Sequence, residues 1–94
     1  MESVDMRVDG NAIAGDLGEI FVHDMTSARI ACGGCGRVEA IGAEHAYMRA
    51  PSIVLRCCHC DHVLLVLSRR HGRVLLAFGG AKWMDLGEEA APAT

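Results

Sequence analysis

Large anchoring side chains are scarce: only four of the 94 residues are Phe, Trp or Tyr. A core must therefore rest on Leu, Val, Ile and Ala. No stretch approaches the roughly 18 to 20 consecutive apolar residues that span a membrane. Met1 to Gly10 carries Glu2, Asp5, Arg7 and Asp9 and no apolar run, which predicts neither a signal peptide nor an anchor there. An even cysteine count, the usual sign of a secreted disulfide framework, is missing too, because there are five. Reduced thiols that bind metal are therefore expected, in the cytoplasm. No Ser/His/Asp set, no phosphate-binding loop and no open zinc position with three ligands stands out, so no catalytic residue is assigned and a non-enzyme is expected.

What is present fits one small globular domain. Hydrophobic residues make up 51% and charged residues 22%, which argues against disorder. A chain this short buries only about two thirds of its unfolded surface, and small domains often add a metal to compensate. The net charge of -3 is unevenly spread. Residues 1–28 hold six acids against one base, whereas residues 29–73 hold seven arginines against three acids.

Residues 9–86 read as a single domain, with residues 1–8 and 87–94 as flexible termini. Asp9 or Asn11 can cap a short helix. Ile13, Leu17, Ile20 and Phe21 recur at helical spacing to about residue 22, although Gly15 and Gly18 each weaken a helix by roughly 1 kcal/mol relative to Ala. Their stripe is expected to cover the sheet of the same chain. Strands follow over 28–31, 37–41, 46–49, 53–56, 62–68, 73–78 and 82–86. Arg69-Arg70-His71-Gly72 reads as a hairpin turn, and Ala50-Pro51-Ser52 as another. Val63 to Leu67 and Val74 to Leu76 are apolar on both faces of their strands.

The informative motifs are Cys32-Gly-Gly-Cys35-Gly36 and Cys57-Cys-His-Cys60-Asp61. Two residues between cysteines let one tight turn aim both sulfurs at a single ion, with backbone N–H groups pointing at the sulfurs. Two such turns supply the four ligands of tetrahedral zinc. The residue after each pair often needs a left-handed backbone, which Gly36 adopts freely and Asp61 tolerates. Twenty-one residues separate Cys35 from Cys57, enough for two strands and their turns. The metal set is thus Cys32, Cys35, Cys57 and Cys60, with structural zinc as the cofactor and iron as the alternative. Adjacent side chains point apart, so Cys58 stays outside that set as a partly buried spare thiol. His59 is expected to be exposed. His23, His45, His62 and His71 show no ligand spacing. Glu44-His45 reads as surface charge rather than a proton-transfer pair.

Asp9-Gly-Asn-Ala-Ile-Ala-Gly15, Asp24-Met-Thr26, the two cysteine turns and Val63-Leu-Leu together resemble a family of short actinobacterial zinc-ribbon proteins of unknown function. The resemblance covers roughly residues 8–86. That family's pattern, CxxCG…RCPxC, has proline after the third cysteine where this chain has Cys58. It implies no activity. The expected fold is small and mainly β: a zinc ribbon with rubredoxin-like cysteine turns, a short N-terminal helix and a C-terminal hairpin or meander. The expected role is a binding module acting through protein–protein contact or self-association. A nucleic-acid-binding ribbon, linked to transcription or RNA, is the alternative. It would use Arg37, Arg49, Arg56, Arg69, Arg70 and Arg73, against an acidic chain and few aromatics for stacking. A rubredoxin-like or thiol redox protein ranks behind both.

Overall fold

In the computed structural model the described residues are 6–18, 21, 24–49 and 51–87. Among them, eight strands form two antiparallel sheets. The five-stranded sheet runs in the order β1 (Met6–Asp9), β4 (His45–Arg49), β5 (Ser52–Arg56), β6 (Val63–Arg70), β7 (Arg73–Ala77). The smaller sheet places β2 (Arg29–Cys32) between β3 (Val38–Ala40) and β8 (Ala81–Asp85). The fold is small, mainly β and of the zinc-ribbon kind, with one short helix near the N-terminus.

The N-terminal reading needs two corrections. Residues 6–8 are not a flexible terminus: Met6–Asp9 is an edge strand, in register with β4 from Met6 opposite Met48 to Asp9 opposite His45. The helical segment also opens more tightly than its apolar spacing suggests. A 3-10 turn, Gly10–Ile13, leads into α1, Ala14–Gly18. Ile20, the third residue of the expected stripe, lies outside the described residues, and the Phe21 N–H donates to the Leu17 carbonyl at 2.9 Å. Asp9, not Asn11, supplies the cap, its carboxylate accepting the Asn11 N–H at 3.1 Å. Ile13 and Leu17 are fully buried and cover the chain's own core.

Side chains alternate across a strand, so one face of the five-stranded sheet is apolar. Val8, Ala46, Ile53, Leu55, Leu65, Leu67 and Leu76 lie on it and pack with Ile13, Leu17, Ile30 and Ile41 in one core. The register shifts between Leu55 and Arg56, which leaves Leu64 as an extra residue on β6. That bulge turns Leu64 inward beside Leu65, and both are buried. Leu64, Leu65 and Leu67 of the β6 run are thus buried within the chain, whereas on β7 Val74 and Leu75 stay 46% and 54% exposed.

The β6–β7 turn is narrower than four residues. Arg70 pairs with Arg73, and His71 and Gly72 alone make the corner, with φ of 51° and 76°. Positive φ at both central positions is the mirror-image turn that matches strand twist.

The chain passes from the larger sheet to the smaller at Gly79-Gly80. There the Gly80 carbonyl accepts the Gly33 N–H at 2.8 Å, and Gly80 lies against the Val63 carbonyl so closely that a Cβ would overlap it. Gly79 has open space in the same position. Gly80→Ala should therefore lower the unfolding free energy by about 2 to 3 kcal/mol, and Gly79→Ala by less than about 1 kcal/mol. Urea denaturation of the metal-loaded variants measures both.

Candidate metal centre

Each cysteine pair is the turn of a hairpin, and each hairpin belongs to a different sheet. Cys32–Cys35 joins β2 to β3, and Cys57–Cys60 joins β5 to β6. The two turns are built alike. The Cys32 N–H donates to the Arg37 carbonyl at 2.9 Å and the Cys57 N–H to the His62 carbonyl at 2.8 Å. The Gly36 N–H returns to the Cys32 carbonyl, and the Asp61 N–H to that of Cys57. Gly36 and Asp61 have φ of 81° and 68°, the left-handed conformation expected at both.

This geometry brings Cys32, Cys35, Cys57 and Cys60 together as one cluster that can hold a metal ion. Their Sγ atoms approach across the two turns at 3.6 Å (Cys32 to Cys60) and 3.7 Å (Cys35 to Cys57). A tetrahedron with metal–sulfur bonds of about 2.3 Å has edges of roughly 3.8 Å. The four sulfurs therefore already have nearly the separation that a single tetrahedral ion requires. The donor set fits, since four thiolates complete the shell of a structural site.

Backbone donors are aimed at the sulfurs. Gly34 and Cys35 donate to Cys32 Sγ at 3.2 and 3.4 Å, and His59 donates to Cys57 Sγ at 3.4 Å. Burial pushes the Cys32 thiol up, but the N–H groups of Cys35 and Gly34 outweigh it and bring it down to about 7. Burial dominates at Cys57, which is held above its ordinary value despite the His59 N–H. At Cys60 the His62 N–H pulls down, but desolvation and the thiols of Cys32, Cys35 and Cys57 drive it up to about 12.

Glu44 is not surface charge, as its pairing with His45 suggested. It is 1% exposed, between a 3-10 turn (Ile41–Ala43) and β4. Its carboxylate accepts the Cys58 N–H at 2.9 Å, and so anchors the second cysteine turn from below. A buried carboxylate needs such a donor, because desolvating an unpaired charge is expensive. Sequence spacing hides this role, since the donor comes from 14 residues away. Cys58 is half-buried and His59 exposed, both as expected. Burial first, then the hydrogen bond and charge of Glu44, push the Cys58 thiol up to about 11. His23 lies outside the described residues.

The six arginines of the nucleic-acid reading do not form one site. Arg37 contacts His59 at 3.4 Å, and Arg69 pairs with Asp16 of α1 at 3.3 Å. Strand register instead puts Arg49, Arg56, Arg70 and Arg73 on the outer face of the five-stranded sheet. Arg7, opposite Tyr47, joins them there. It was missed because residues 1–8 read as a terminus; only its alternation with Val8 could have signalled a strand.

Cys32→Ser should release the ion and unfold the domain, because structural zinc contributes on the order of 10 kcal/mol to small folds. Cys58→Ser should keep the ion and the fold; native mass spectrometry with circular dichroism distinguishes the two. Metal uptake must expel the protons of Cys57 and Cys60 at any pH near neutrality. Below about 7 it must expel that of Cys32 as well. Affinity should therefore fall as pH drops, and more steeply below that point, as chelator competition between pH 6 and 8 can measure.

No curated protein and no solved structure matches this chain. One family does match, over residues 3–89, slightly beyond the span suggested by the motifs. The chain belongs to DUF6510, a family of unknown function.

Proposed function

We propose that the chain is a zinc-stapled binding module that acts through protein–protein contact. Structural zinc is the metal of this reading and iron the alternative, since a tetrahedral four-thiolate shell suits both. Elemental analysis of the purified protein distinguishes the two metals. The free cysteines suit a reducing cytoplasm. No helix among the described residues is long and apolar enough to cross a membrane.

The carrying observation is the outer face of the five-stranded sheet together with β7. No described element covers that face. Leu75, 54% exposed, shares it with Val54, Val66 and the arginines. Arg56 is already positioned: its guanidinium lies 5.5 Å from the Tyr47 ring centroid and donates to the Asp61 carbonyl at 3.0 Å. Tyr47, Arg49, Val54, Arg56 and Asp61 line a shallow concavity there. Arginine and tyrosine beside aliphatic surface is the composition enriched in protein interfaces. Trp83 on β8 and Phe78 before it are further exposed apolar side chains, at 49% and 40%. The fitting partner is acidic with an apolar centre.

Single-stranded nucleic acid is the second reading, favoured by the five arginines that register gathers on one face. Tyr47 is the sole aromatic ring there, which limits base stacking. Four thiolates on a divalent ion also subtract about two charges from the neighbouring surface.

Affinity purification from the native host, with tagged wild type beside a Leu75→Glu/Arg49→Glu double variant, tests the proposal. A protein partner or second copy should be captured by the wild type, survive nuclease treatment and be lost from the variant. Recovery of nucleic acid alone, released by moderate salt, would favour the second reading. An identical set of captured molecules from both proteins rules out this surface.

A further inference from the structure

Beside the four-cysteine cluster the fold assembles a second group of metal-ligating side chains. We propose that Glu39, Cys58 and His59 form an open metal site that takes a borderline divalent cation such as zinc. Their carboxylate oxygen, sulfur and ring nitrogen all lie within 4.8 Å of one another. Glu39 comes from β3, which leaves the first cysteine turn; Cys58 and His59 lie inside the second. The pair and the acid are 19 residues apart in sequence, so no ligand spacing announces them. They meet only because the two cysteine turns face each other.

The chemistry of the trio is specific. One carboxylate, one thiolate and one imidazole give the three protein ligands of an open zinc site, and leave a fourth position to solvent or to a donor on a partner. Sulfur and nitrogen donors select against magnesium and calcium. Cys58 cannot turn toward the first ion, because the residue after a ligand points its side chain elsewhere. Glu44 fixes the Cys58 backbone through the 2.9 Å bond to its N–H. Glu39 Oε2 and His59 Nε2 are 2.7 Å apart, and His59 is open to solvent, so an ion has a path of entry. A bare ion pair between Glu39 and His59 would need no thiol within reach.

The field also favours a cation. An occupied four-thiolate site carries about -2, and Glu39 and Glu44 add to it. Arg37, whose Nη1 lies 3.4 Å from His59 Nδ1, and Arg7, which lines the same concavity as Cys58 and His59, are opposing charges. On binding, the Cys58 proton goes to solvent. His59 presents the Nε2 lone pair, keeps its N–H on Nδ1, and gives up Arg37.

Protein that holds its first ion can be titrated with Zn2+ and the bound ions counted by native mass spectrometry. Wild type should take up a second zinc. Glu39→Gln, Cys58→Ser and His59→Gln should each keep the first ion and lose the second. Wild type that stays at one zinc throughout the titration overturns the proposal, and so does a second zinc that persists in the Cys58 and His59 variants. If Cys58→Ser fails to fold, His59→Gln decides, since that side chain is exposed.

Discussion

Two sheets meet at four sulfurs. Cys32 ends a strand of the three-stranded sheet, and Cys57 follows a strand of the five-stranded one, so a single ion held there would link both layers at one edge. The rest of the fold is arranged around this constraint. The chain returns to the smaller sheet through Gly80, pressed between the first cysteine turn and the start of β6. The core between the sheets is aliphatic and modest in size. Without the link, the three strands of the smaller sheet would have little but that core to hold them against the larger one.

Legibility in the sequence followed the range of the interactions. The cysteine turns were readable down to the left-handed Gly36 and Asp61, because the backbone bonds that close each turn span no more than five residues. Seven strands and the position of the β6–β7 hairpin were readable for the same reason. β1 was not, since Met6–Asp9 has no period of its own that stands out and gains its structure only by pairing with β4, nearly 40 residues on. Glu44 could not be read as buried, because the N–H that makes its burial tolerable belongs to a distant turn. The shared face of Arg7, Arg49 and Arg56 is invisible for a related reason: parity must be carried across three strands.

The two apolar strands of the C-terminal half show how one pattern leads to two outcomes. β6 lies inside the sheet, and its bulge turns an additional leucine into the core. β7 lies at the edge, where the same kind of residues has nothing on one side. Position in the sheet, rather than hydrophobicity, decides which strand stays available for contact. An apolar edge strand also invites unwanted pairing, and Arg70 and Arg73 at its hairpin end place charge where a stray strand would begin to add.

The four thiols are not equally sheltered. Cys32 and Cys57, the first of each pair, are buried, whereas Cys35 and Cys60 are exposed. A competing thiol or chelator can approach the ion only from the outer pair. Exchange then proceeds in a set order: the outer sulfurs detach first, while the inner two, one from each sheet, still hold the ion between them. The inner pair thus keeps the layers joined until the ion itself leaves.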